Sequence, residues 1–267
     1  MDPITLLGAV LLGIVEGATE FVPVSSTGHL ILLVDLLGFR GPPGRVFEVV
    51  IQLGAILAVC WLYRGKLIGT LIGLPTEPEA RRFTLAVLLA FLPAAVAGAL
   101  LHGFIKAVLF SPYVVSVALV TGGVAILLIE RMPLRPRVRE VDAIGPGRAL
   151  AVGCCQLLAL IPGVSRSGAT ILGGLACGLD RRTATEFSFF LAIPTMFGAT
   201  AYDLFRNRDA ISADGALVIA IGFGAAFLTA LLVVRAVVGF VARHGFAPFA
   251  WYRIALGSGM LLLLSFR

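Results

Sequence analysis

Two short polar segments interrupt apolar sequence and carry residue types that could do chemistry. The first polar segment, residues 16–29, contains two carboxylates, four hydroxyls and a histidine. The second polar segment, residues 162–170, contains Arg166 among serine, threonine and glycine residues. Ionisable groups at membrane depth cost roughly 2.5–3.5 kcal/mol each on insertion scales, so they usually mark a functional site. Acids with a histidine in one segment, and arginine with hydroxyls in the other, indicate a phosphate site inside a membrane protein.

Glu16 and Glu20 are four residues apart, so on a helix their carboxylates share one face. Hard cations such as Mg²⁺ or Ca²⁺ take oxygen ligands and commonly bridge carboxylates to substrate phosphates. The alternative is a pair of acids facing water at a helix end, which the apolar surroundings disfavour. We therefore predict that Glu16 and Glu20 bind one divalent cation, either Mg²⁺ or Ca²⁺.

A run of hydroxyls and glycine follows, and it leads into a second helical half: Ser25, Ser26, Thr27 and Gly28. Free N–H groups at a helix start bind anions, and glycine lets the backbone approach a phosphate closely. N-capping explains Ser25 equally well. His29 lies one turn further on, where it could exchange a proton with Ser26 or with a leaving phosphate. We predict Ser26 as nucleophile with His29 as proton partner; a nucleophilic His29, or water activated by Glu20, stays open.

Arg166 is the strongest single candidate of the second polar segment. Its planar guanidinium can grip a phosphate through two parallel hydrogen bonds and stays charged at any relevant pH. An arginine that merely reaches to the lipid head groups would have to lie at the membrane edge. Further phosphate-binding candidates in this segment offer hydroxyls or open backbone: Gly163, Ser165, Ser167 and Thr170.

Composition places the chain in a membrane. Apolar residues make up 59% of it and charged residues 13%, with a mean hydropathy of +1.01. A soluble domain is closer to half apolar and a quarter charged. The net charge of +6 suits contact with anionic head groups and gives no reason to propose nucleic-acid binding.

Spanning helices need about 20 mostly apolar residues. Six stretches qualify: 46–63, 83–103, 112–130, 183–201, 214–236 and 246–266. Residues 4–38 and 148–179 are apolar too, but the polar segments break each into two helices of about 12–15 residues. Irregular backbone at membrane depth must face protein or a cavity. The predicted fold is an all-α integral membrane protein with six transmembrane helices and two broken re-entrant helical hairpins.

The basic residues predict how the chain is oriented. They cluster in three places: Arg64, Lys66, Arg81 and Arg82; Arg131, Arg135, Arg137 and Arg139; Arg235 and Arg243. A six-span path with both termini outside puts all three groups in the cytoplasm, as the positive-inside rule requires.

An internal repeat appears when the chain is shifted by 140 residues. Residues 24–32 then align with 164–172, with five of nine positions identical, and Arg166 falls opposite Ser26. Each half has one broken hairpin and three spans, an odd number, so the second half must be inverted in the membrane. We predict one membrane domain, 1–267, made of inverted repeats 1–140 and 141–267. Such repeats place binding sites near the bilayer midplane, where the polar segments should meet.

Glu186 also lies in apolar sequence, but it has a structural explanation. Thr183 and Glu186 have the spacing of a capping box at the start of the 183–201 span. We predict that Glu186 caps this helix and takes no part in the chemistry.

Several motifs resemble those of the bacterial undecaprenyl-diphosphate phosphatases, the membrane family associated with bacitracin resistance. They are EGATEFVPVSSTGH at 16–29, FEVVIQLG at 47–54, PGVSRSGAT at 162–170, EFSF at 186–189 and WYR at 251–253. The resemblance implies an enzyme of the bacterial inner membrane that converts the lipid carrier diphosphate to the monophosphate, recycling it for peptidoglycan synthesis. It also implies a divalent cation and functional roles for Glu16, Glu20, Ser26, His29, Ser165, Arg166 and Thr170.

Two other classes were weighed. Acid-phosphatase-like lipid phosphatases need a Lys-x6-Arg-Pro element, and neither Lys66 nor Lys106 begins one. Function as a polyprenyl-phosphate transporter remains an alternative, because inverted repeats with broken helices are typical of transporters. The expected partners are a polyprenyl diphosphate substrate and membrane lipids, without nucleic acid, and a homodimer is left open.

Overall fold

The computed structural model describes residues 3–39, 46–104, 111–207 and 213–266, and most of these residues lie in helices. Their α-helices are α1 (Pro3–Thr19), α2 (Ser26–Leu37), α3 (Val46–Leu62), α4 (Arg64–Gly73), α5 (Pro78–Phe104), α6 (Pro112–Arg131), α7 (Pro146–Gln156), α8 (Arg166–Ala176), α9 (Arg181–Asn207), α10 (Ala213–His244) and α11 (Ala247–Ser265). Short 3₁₀ turns cover Val141–Ala143 and Leu157–Leu160. Within the described ranges the β-structure is a single bridge between Val138 and Leu179.

Four helices are long and apolar enough to cross a membrane: α5, α6, α10 and α11. They confirm the spans predicted at 83–103, 112–130, 214–236 and 246–266. Leucine, valine and tryptophan side chains on these helices are exposed, as lipid contact requires. The protein is therefore a multi-pass membrane protein with an all-helical fold.

The span predicted at 46–63 is the first arm of a bent pair. Helices α3 and α4 meet at Tyr63 with a bend of 72°, and together they could count as a fifth span. Helix α4 lies between the predicted spans 46–63 and 83–103, where the sequence predicts no further span. Beside the bend, the guanidinium of Arg64 lies 4.8 Å from the ring centroid of Trp61. Lys66 of α4 binds Asp142 at 2.5 Å, which fixes α4 against the segment that precedes α7.

Helix α9 corresponds to the span predicted at 183–201, but it is not among the helices apolar enough to cross a lipid bilayer by itself. Its 27 residues include hydroxyls that are buried in the protein, such as Thr183, Thr185 and Ser188. Phe187 and Phe189 lie with them in the main core cluster. Because α9 packs against protein on many sides, it can carry polar groups that lipid would exclude.

The two predicted breaks form where expected. Residues 20–25 separate α1 from α2, and residues 157–165 separate α7 from α8. The flanking helices have 17, 12, 11 and 11 residues, close to the predicted half-length. Both breaks therefore bring non-helical backbone into the interior of the helical bundle.

Helices of the two halves approach closely through glycine. A Cβ at Gly13 of α1 would lie 2.3 Å from the carbonyl oxygen of Gly222 in α10. A Cβ at Gly153 of α7 would lie 2.4 Å from the carbonyl oxygen of Ala90 in α5. Small residues at helix crossings are how membrane bundles gain packing energy. The first hairpin is thereby fixed to α10, and the second hairpin to α5.

The capping prediction for Glu186 was wrong. Helix α9 begins at Arg181, two residues before Thr183, and the carboxylate of Asp180 accepts the backbone N–H of Thr183 at 2.7 Å. Glu186 instead accepts a hydrogen bond from Arg182 at 3.1 Å. An aspartate just before the helix can reach the free N–H groups of the first turn, so a serine or threonine cap is not needed.

Candidate active site

Each break ends in a serine with left-handed backbone. Ser25 has φ 71° and Ser165 has φ 77°, and they are the non-glycine residues with positive φ among those described. Ser25 Oγ accepts the N–H of Gly28 at 3.4 Å, and Ser165 Oγ accepts the N–H of Gly168 at 3.0 Å. A non-glycine residue in this region costs about 1–3 kcal/mol, and such strain clusters at functional sites. The sequence alignment had already paired Ser25 with Ser165.

A hydrogen-bonded line of three side chains connects the breaks. Ser26 Oγ donates to Glu20 Oε2 at 2.5 Å, and Arg166 donates to the other oxygen, Glu20 Oε1, at 2.7 Å. Ser26 and Glu20 are buried, and the Arg166 side chain is 12% exposed. Glu20 is therefore placed to take the proton of Ser26, and Arg166 is placed to balance the charge on Glu20.

The Arg166 guanidinium is held on more than one side. It donates to the carbonyl of Ser188 at 3.0 Å, and its carbon lies 5.7 Å from the ring centroid of Phe21. Thr170 donates to the Arg166 carbonyl at 2.9 Å and lies 2.7 Å from the Ser188 hydroxyl. The Arg166 Nε is buried and makes no hydrogen bond within the described structure. One N–H of the guanidinium therefore has no hydrogen-bond partner among the described residues.

A cavity of about 180 Å³ opens beside this line of side chains. Its polar lining comes from both breaks and from helices α3 and α9: Glu20, Ser25, Ser26, Thr27, Gln52, Gly163, Ser165, Arg166 and Thr195. Pockets for drug-sized molecules are usually 300–1,000 Å³. The cavity is thus sized for a head group, and a long apolar tail would have to lie outside it, against the helices.

Glu16 lies deeper, one turn before Glu20 on α1. It is fully buried, and neither of its carboxylate oxygens has a hydrogen-bond partner in the described structure. It interacts electrostatically with Glu20. The free oxygens of Glu16, one turn from the Glu20 carboxylate, fit part of the donor set of a hard cation. No group of three or more His, Cys, Asp or Glu side chains suited to a metal occurs in the described ranges. A cation here would need further oxygens from substrate or water.

His29 is not brought to Ser26. Its Nδ1 lies 2.8 Å from the carbonyl oxygen of Ser25, and its Nε2 lies 2.6 Å from the hydroxyl of Tyr252 on α11. His29 is also absent from the cavity lining. The geometry that the sequence suggested, a histidine in contact with the nucleophile, is replaced by a carboxylate in contact with it.

Other predicted phosphate ligands also lie off the cavity. Ser167 is buried and donates to the carbonyl of Val22 at 2.9 Å, tying the second break to the first. Thr170 supports Arg166 from behind, as described above. Gly28 lies against Val115 of α6. Phosphate binding by these three residues stays a prediction, whereas their contacts already give each a structural part in the site.

Arg253 of α11 is a central residue that the sequence analysis did not single out. It is 1% exposed, and each of its five N–H groups meets a carbonyl oxygen at 2.9 to 3.3 Å. The carbonyls belong to both breaks and to α6: Pro23, Gly163, Val164, Ala118 and Leu119. Arg253 is the one charged residue in the predicted span 246–266, and a charge inside a span is the sequence signal that points to it.

Replacement of Arg253 by methionine should destabilise the folded protein by more than about 3 kcal/mol, because it leaves several buried carbonyls without donors. Thermal unfolding of purified protein in detergent measures this as a lower Tm. The matched control is Arg243→Met at an exposed arginine whose Nε meets one carbonyl, and it should leave the Tm close to that of the parent. Equal Tm values for both variants would show that the carbonyl cluster does not depend on Arg253.

An all-helical membrane bundle whose two broken helices join serine, carboxylate and arginine at one buried cavity defines a class of polytopic membrane proteins with an intramembrane polar site. The chain belongs to the bacitracin resistance protein BacA family, which matches residues 9–259. Undecaprenyl-diphosphatase 2 of Paramagnetospirillum magneticum is 58% identical over 98% of this chain and 100% of its own length. Undecaprenyl-diphosphatase 1 of Agrobacterium fabrum is 54% identical over 97% of both chains. The undecaprenyl-diphosphatase of Parvibaculum lavamentivorans is 55% identical over 99% of this chain and 98% of its own.

Proposed function

We propose that this protein hydrolyses undecaprenyl diphosphate to undecaprenyl phosphate and inorganic phosphate, recycling the lipid carrier for cell-wall synthesis. The relatives that match the chain along its whole length carry the name undecaprenyl-diphosphatase. The observation that carries the proposal is the line Ser26–Glu20–Arg166 on a cavity of head-group size. In the proposed roles, Ser26 is the nucleophile, Glu20 is the base, and Arg166 is the positive charge that binds the phosphate.

The geometry supports a reaction in two steps. Ser26 Oγ forms a bond to the terminal phosphorus, the bond from phosphorus to the bridging oxygen breaks, and the Ser26 proton passes to Glu20 Oε2. Undecaprenyl phosphate leaves, and water then cleaves the phosphoserine to release inorganic phosphate and restore Ser26. Arg166 neutralises charge on the transferred group, where electrostatics and positioning supply most of the catalysis. Direct attack by water activated by Glu20 is the competing route.

Glu16 and Glu20 are proposed to hold a divalent cation, Mg²⁺ or Ca²⁺. When bound, the cation would neutralise the diphosphate and polarise its oxygens. Support comes from the free oxygens of Glu16, which is fully buried and one turn from Glu20. Without a cation, a buried carboxylate that lacks a hydrogen bond is costly.

Glu16→Gln should raise the Mg²⁺ or Ca²⁺ concentration needed for half-maximal phosphate release by roughly tenfold or more, because a ligand charge is lost. Calorimetric titration of the purified variant with cation should show the same weakening without any substrate. Glu186→Gln, at an acid paired with Arg182 away from the site, is the control and should titrate like the parent. Parental cation affinity in Glu16→Gln would remove Glu16 from the ligand set.

The architecture that we propose is one membrane domain built from inverted repeats 1–140 and 141–267, with six spans and two re-entrant hairpins. Helix contacts support this architecture. A contact between a helix of one repeat and a helix of the other recurs between the corresponding helices with the two repeats interchanged. Helix α1 packs on α10 as α7 packs on α5, and α3 packs on α10 as α9 packs on α5. Helices α3 and α9, and likewise α6 and α11, contact each other as symmetry mates would. Such pairing is typical of inverted repeats that meet at a central site.

We further propose that the protein lies in the bacterial inner membrane with both termini outside. Two ion pairs support this orientation, because they gather the basic loops at one face. Lys66 binds Asp142, and Arg181 binds Glu130, whose carboxylate also accepts the N–H of Phe246. The first pair joins α4 to the segment before α7, and the second joins the start of α9 to the ends of α6 and α10. Collected on one side, the loop arginines satisfy the positive-inside rule.

The test of the function is phosphate release by purified protein in detergent, with undecaprenyl diphosphate as substrate and undecaprenyl phosphate as the comparison lipid. We expect cation-dependent release from the diphosphate. A protein that binds the lipid but releases no phosphate would overturn the proposed function.

Lipid transport is the second candidate function. The observation that favours it is the matching pattern of helix contacts in the two repeats, which is typical of transporters. Detergent removes the two compartments that transport needs, so phosphate release there belongs to the enzyme alone. In vesicles, movement of undecaprenyl phosphate by a Ser26→Ala variant without phosphate release would show that the same site also carries lipid.

A further inference from the structure

The environment of His29 fixes which ring nitrogen carries the proton. Nδ1 faces the carbonyl oxygen of Ser25 at 2.8 Å, and a carbonyl can only accept a hydrogen bond. Nδ1 therefore holds the proton. In the neutral ring Nε2 is then an acceptor, and the hydroxyl of Tyr252 donates to it at 2.6 Å. The planes of the two rings are parallel, with an angle of 1° between them and 5.5 Å between the ring centroids.

The two breaks differ in how tightly their backbone closes. The carbonyl of Ser25 accepts the N–H of His29 at 3.4 Å, whereas that of Ser165 accepts the N–H of Ala169 at 2.9 Å. The caps differ in the same direction, at 3.4 Å for Ser25 and 3.0 Å for Ser165. The hydrogen bonds at the serine turn of the first break are thus longer than those at the second. The imidazole of His29 adds a short bond to the Ser25 carbonyl, which Ala169 cannot give to Ser165.

The position of Ser26 depends on this turn. Ser26 directly follows Ser25, whose φ of 71° is strained, and its hydroxyl must reach Glu20 at 2.5 Å. A nucleophile displaced by about 1 Å can lose about 10²-fold in rate. His29 itself does not line the cavity. Its contacts therefore suit the support of Ser25 and leave no free nitrogen for proton transfer to substrate.

We propose that Tyr252 and His29 are positioning residues. A hydrogen-bonded chain from Tyr252 through His29 to the Ser25 carbonyl holds the strained turn, and through it aims Ser26 at Glu20. His29 keeps its proton on Nδ1 throughout the reaction. The inference rests on the proposed function and deepens it, because it gives α11 control over the geometry of the nucleophile.

Two substitutions of His29 separate positioning from proton transfer. In His29→Asn the amide nitrogen occupies the place of Nδ1, so the bond to Ser25 survives. In His29→Gln the nitrogen occupies the place of Nε2, so that bond is lost. We expect kcat of the Asn variant, which keeps the bond to Ser25 but loses the bond to Tyr252, to fall by about tenfold, and that of the Gln variant to fall by about 10²-fold. KM should change little, and the pH dependence of kcat/KM for the Asn variant should keep the parental shape.

The control is His244→Asn. The Nδ1 of His244 also faces a carbonyl four residues earlier, that of Phe240 at 3.3 Å, but it lies exposed at the end of α10. Its substitution should leave kcat at the parental value. Equal, large losses in the Asn and Gln variants of His29, with one limb of the pH profile missing, would overturn the proposal in favour of a histidine that transfers protons.

Tyr252→Phe removes only the hydroxyl at the other end of the chain. It should lower kcat by about tenfold at nearly constant KM, since the His29 ring is then held by one bond instead of two. Tyr113→Phe is the matched control, because the Tyr113 hydroxyl likewise has a single acceptor. That acceptor is the carbonyl of Leu264 on α11, at 3.0 Å. Parental kcat in Tyr252→Phe would remove Tyr252 from the chain.

A measurement without substrate keeps this inference separate from the proposed function. In protein labelled with ¹³C and ¹⁵N at histidine, with signals assigned by the His29 and His244 variants, His29 should show the neutral ring protonated at Nδ1. The other tautomer would overturn the positioning proposal even in an active enzyme. If the parent releases no phosphate from undecaprenyl diphosphate, the proposed function fails, whereas the tautomer still decides how His29 is held.

Discussion

Ser26→Ala should lower kcat for phosphate release by about 10³-fold or more, while binding of the diphosphate largely survives. The reason is that Ser26 is the hydroxyl of the cavity that donates to Glu20, at 2.5 Å, so its loss removes a covalent step rather than a binding contact. Turnover of purified variant and parent at equal folded concentration measures the effect. Binding of undecaprenyl diphosphate to the variant is measured alongside.

Ser116→Ala is the control for Ser26→Ala. Ser116 is also a buried serine, but its hydroxyl donates to the Pro112 carbonyl within α6, away from the cavity. Its substitution should leave kcat near the parental value. If Ser26→Ala kept a tenth or more of the parental kcat, the nucleophile would be water activated by Glu20, and the covalent route would be excluded.

Arg166→Lys should lower kcat/KM on the order of 10²–10³-fold although the charge is kept. Arg166 binds Glu20 and Ser188 at the same time and still has a free Nε, which a single ammonium cannot reproduce. The control is Arg182→Lys, where an exposed arginine binds only the neighbouring Glu186. Near-parental activity of Arg166→Lys would mean that positive charge alone, without the planar fork, is what the phosphate needs.

The sequence predicted where the helices break and which segments meet, because each signal is local. A polar run within an apolar stretch can be recognised in a window of about fifteen residues. Such a run is informative because charged groups in lipid are energetically costly. The pairing of Ser25 with Ser165 was visible in the same way, through the repeat. The spans at α5, α6, α10 and α11 followed from length and hydropathy alone.

The partner of Ser26 could not be read from spacing. His29 is three residues away on the same helix, so helical periodicity favoured it over Glu20. Glu20 is six residues away across a non-helical turn, where no periodicity applies, and only the path of the backbone brings it to 2.5 Å. The turn also sends the His29 ring toward Tyr252, more than two hundred residues later.

The burial of helix α9 in protein and the contacts of Arg253 were missed for a related reason. Hydropathy assumes that a helix faces lipid, but α9 buries Thr185 and Ser188 against protein. Arg253 was seen only as the end of a motif, because its five acceptors are backbone carbonyls, which leave no trace in the side-chain sequence. Long-range contacts of this kind become visible only in the folded chain.

Because α1 of the first half packs on α10 of the second half, the order of synthesis affects how the fold is assembled. Helix α1 emerges from the ribosome well before α10, so the surface at Gly13 that packs on α10 stays uncovered until α10 is made. Helix α11, which supplies Arg253, follows later still. The serine turn at Ser25 is therefore assembled only when almost the entire chain has been inserted. A ribosome stalled before α10 would display a nascent hairpin without its partner, a natural target for membrane chaperones and quality-control proteases.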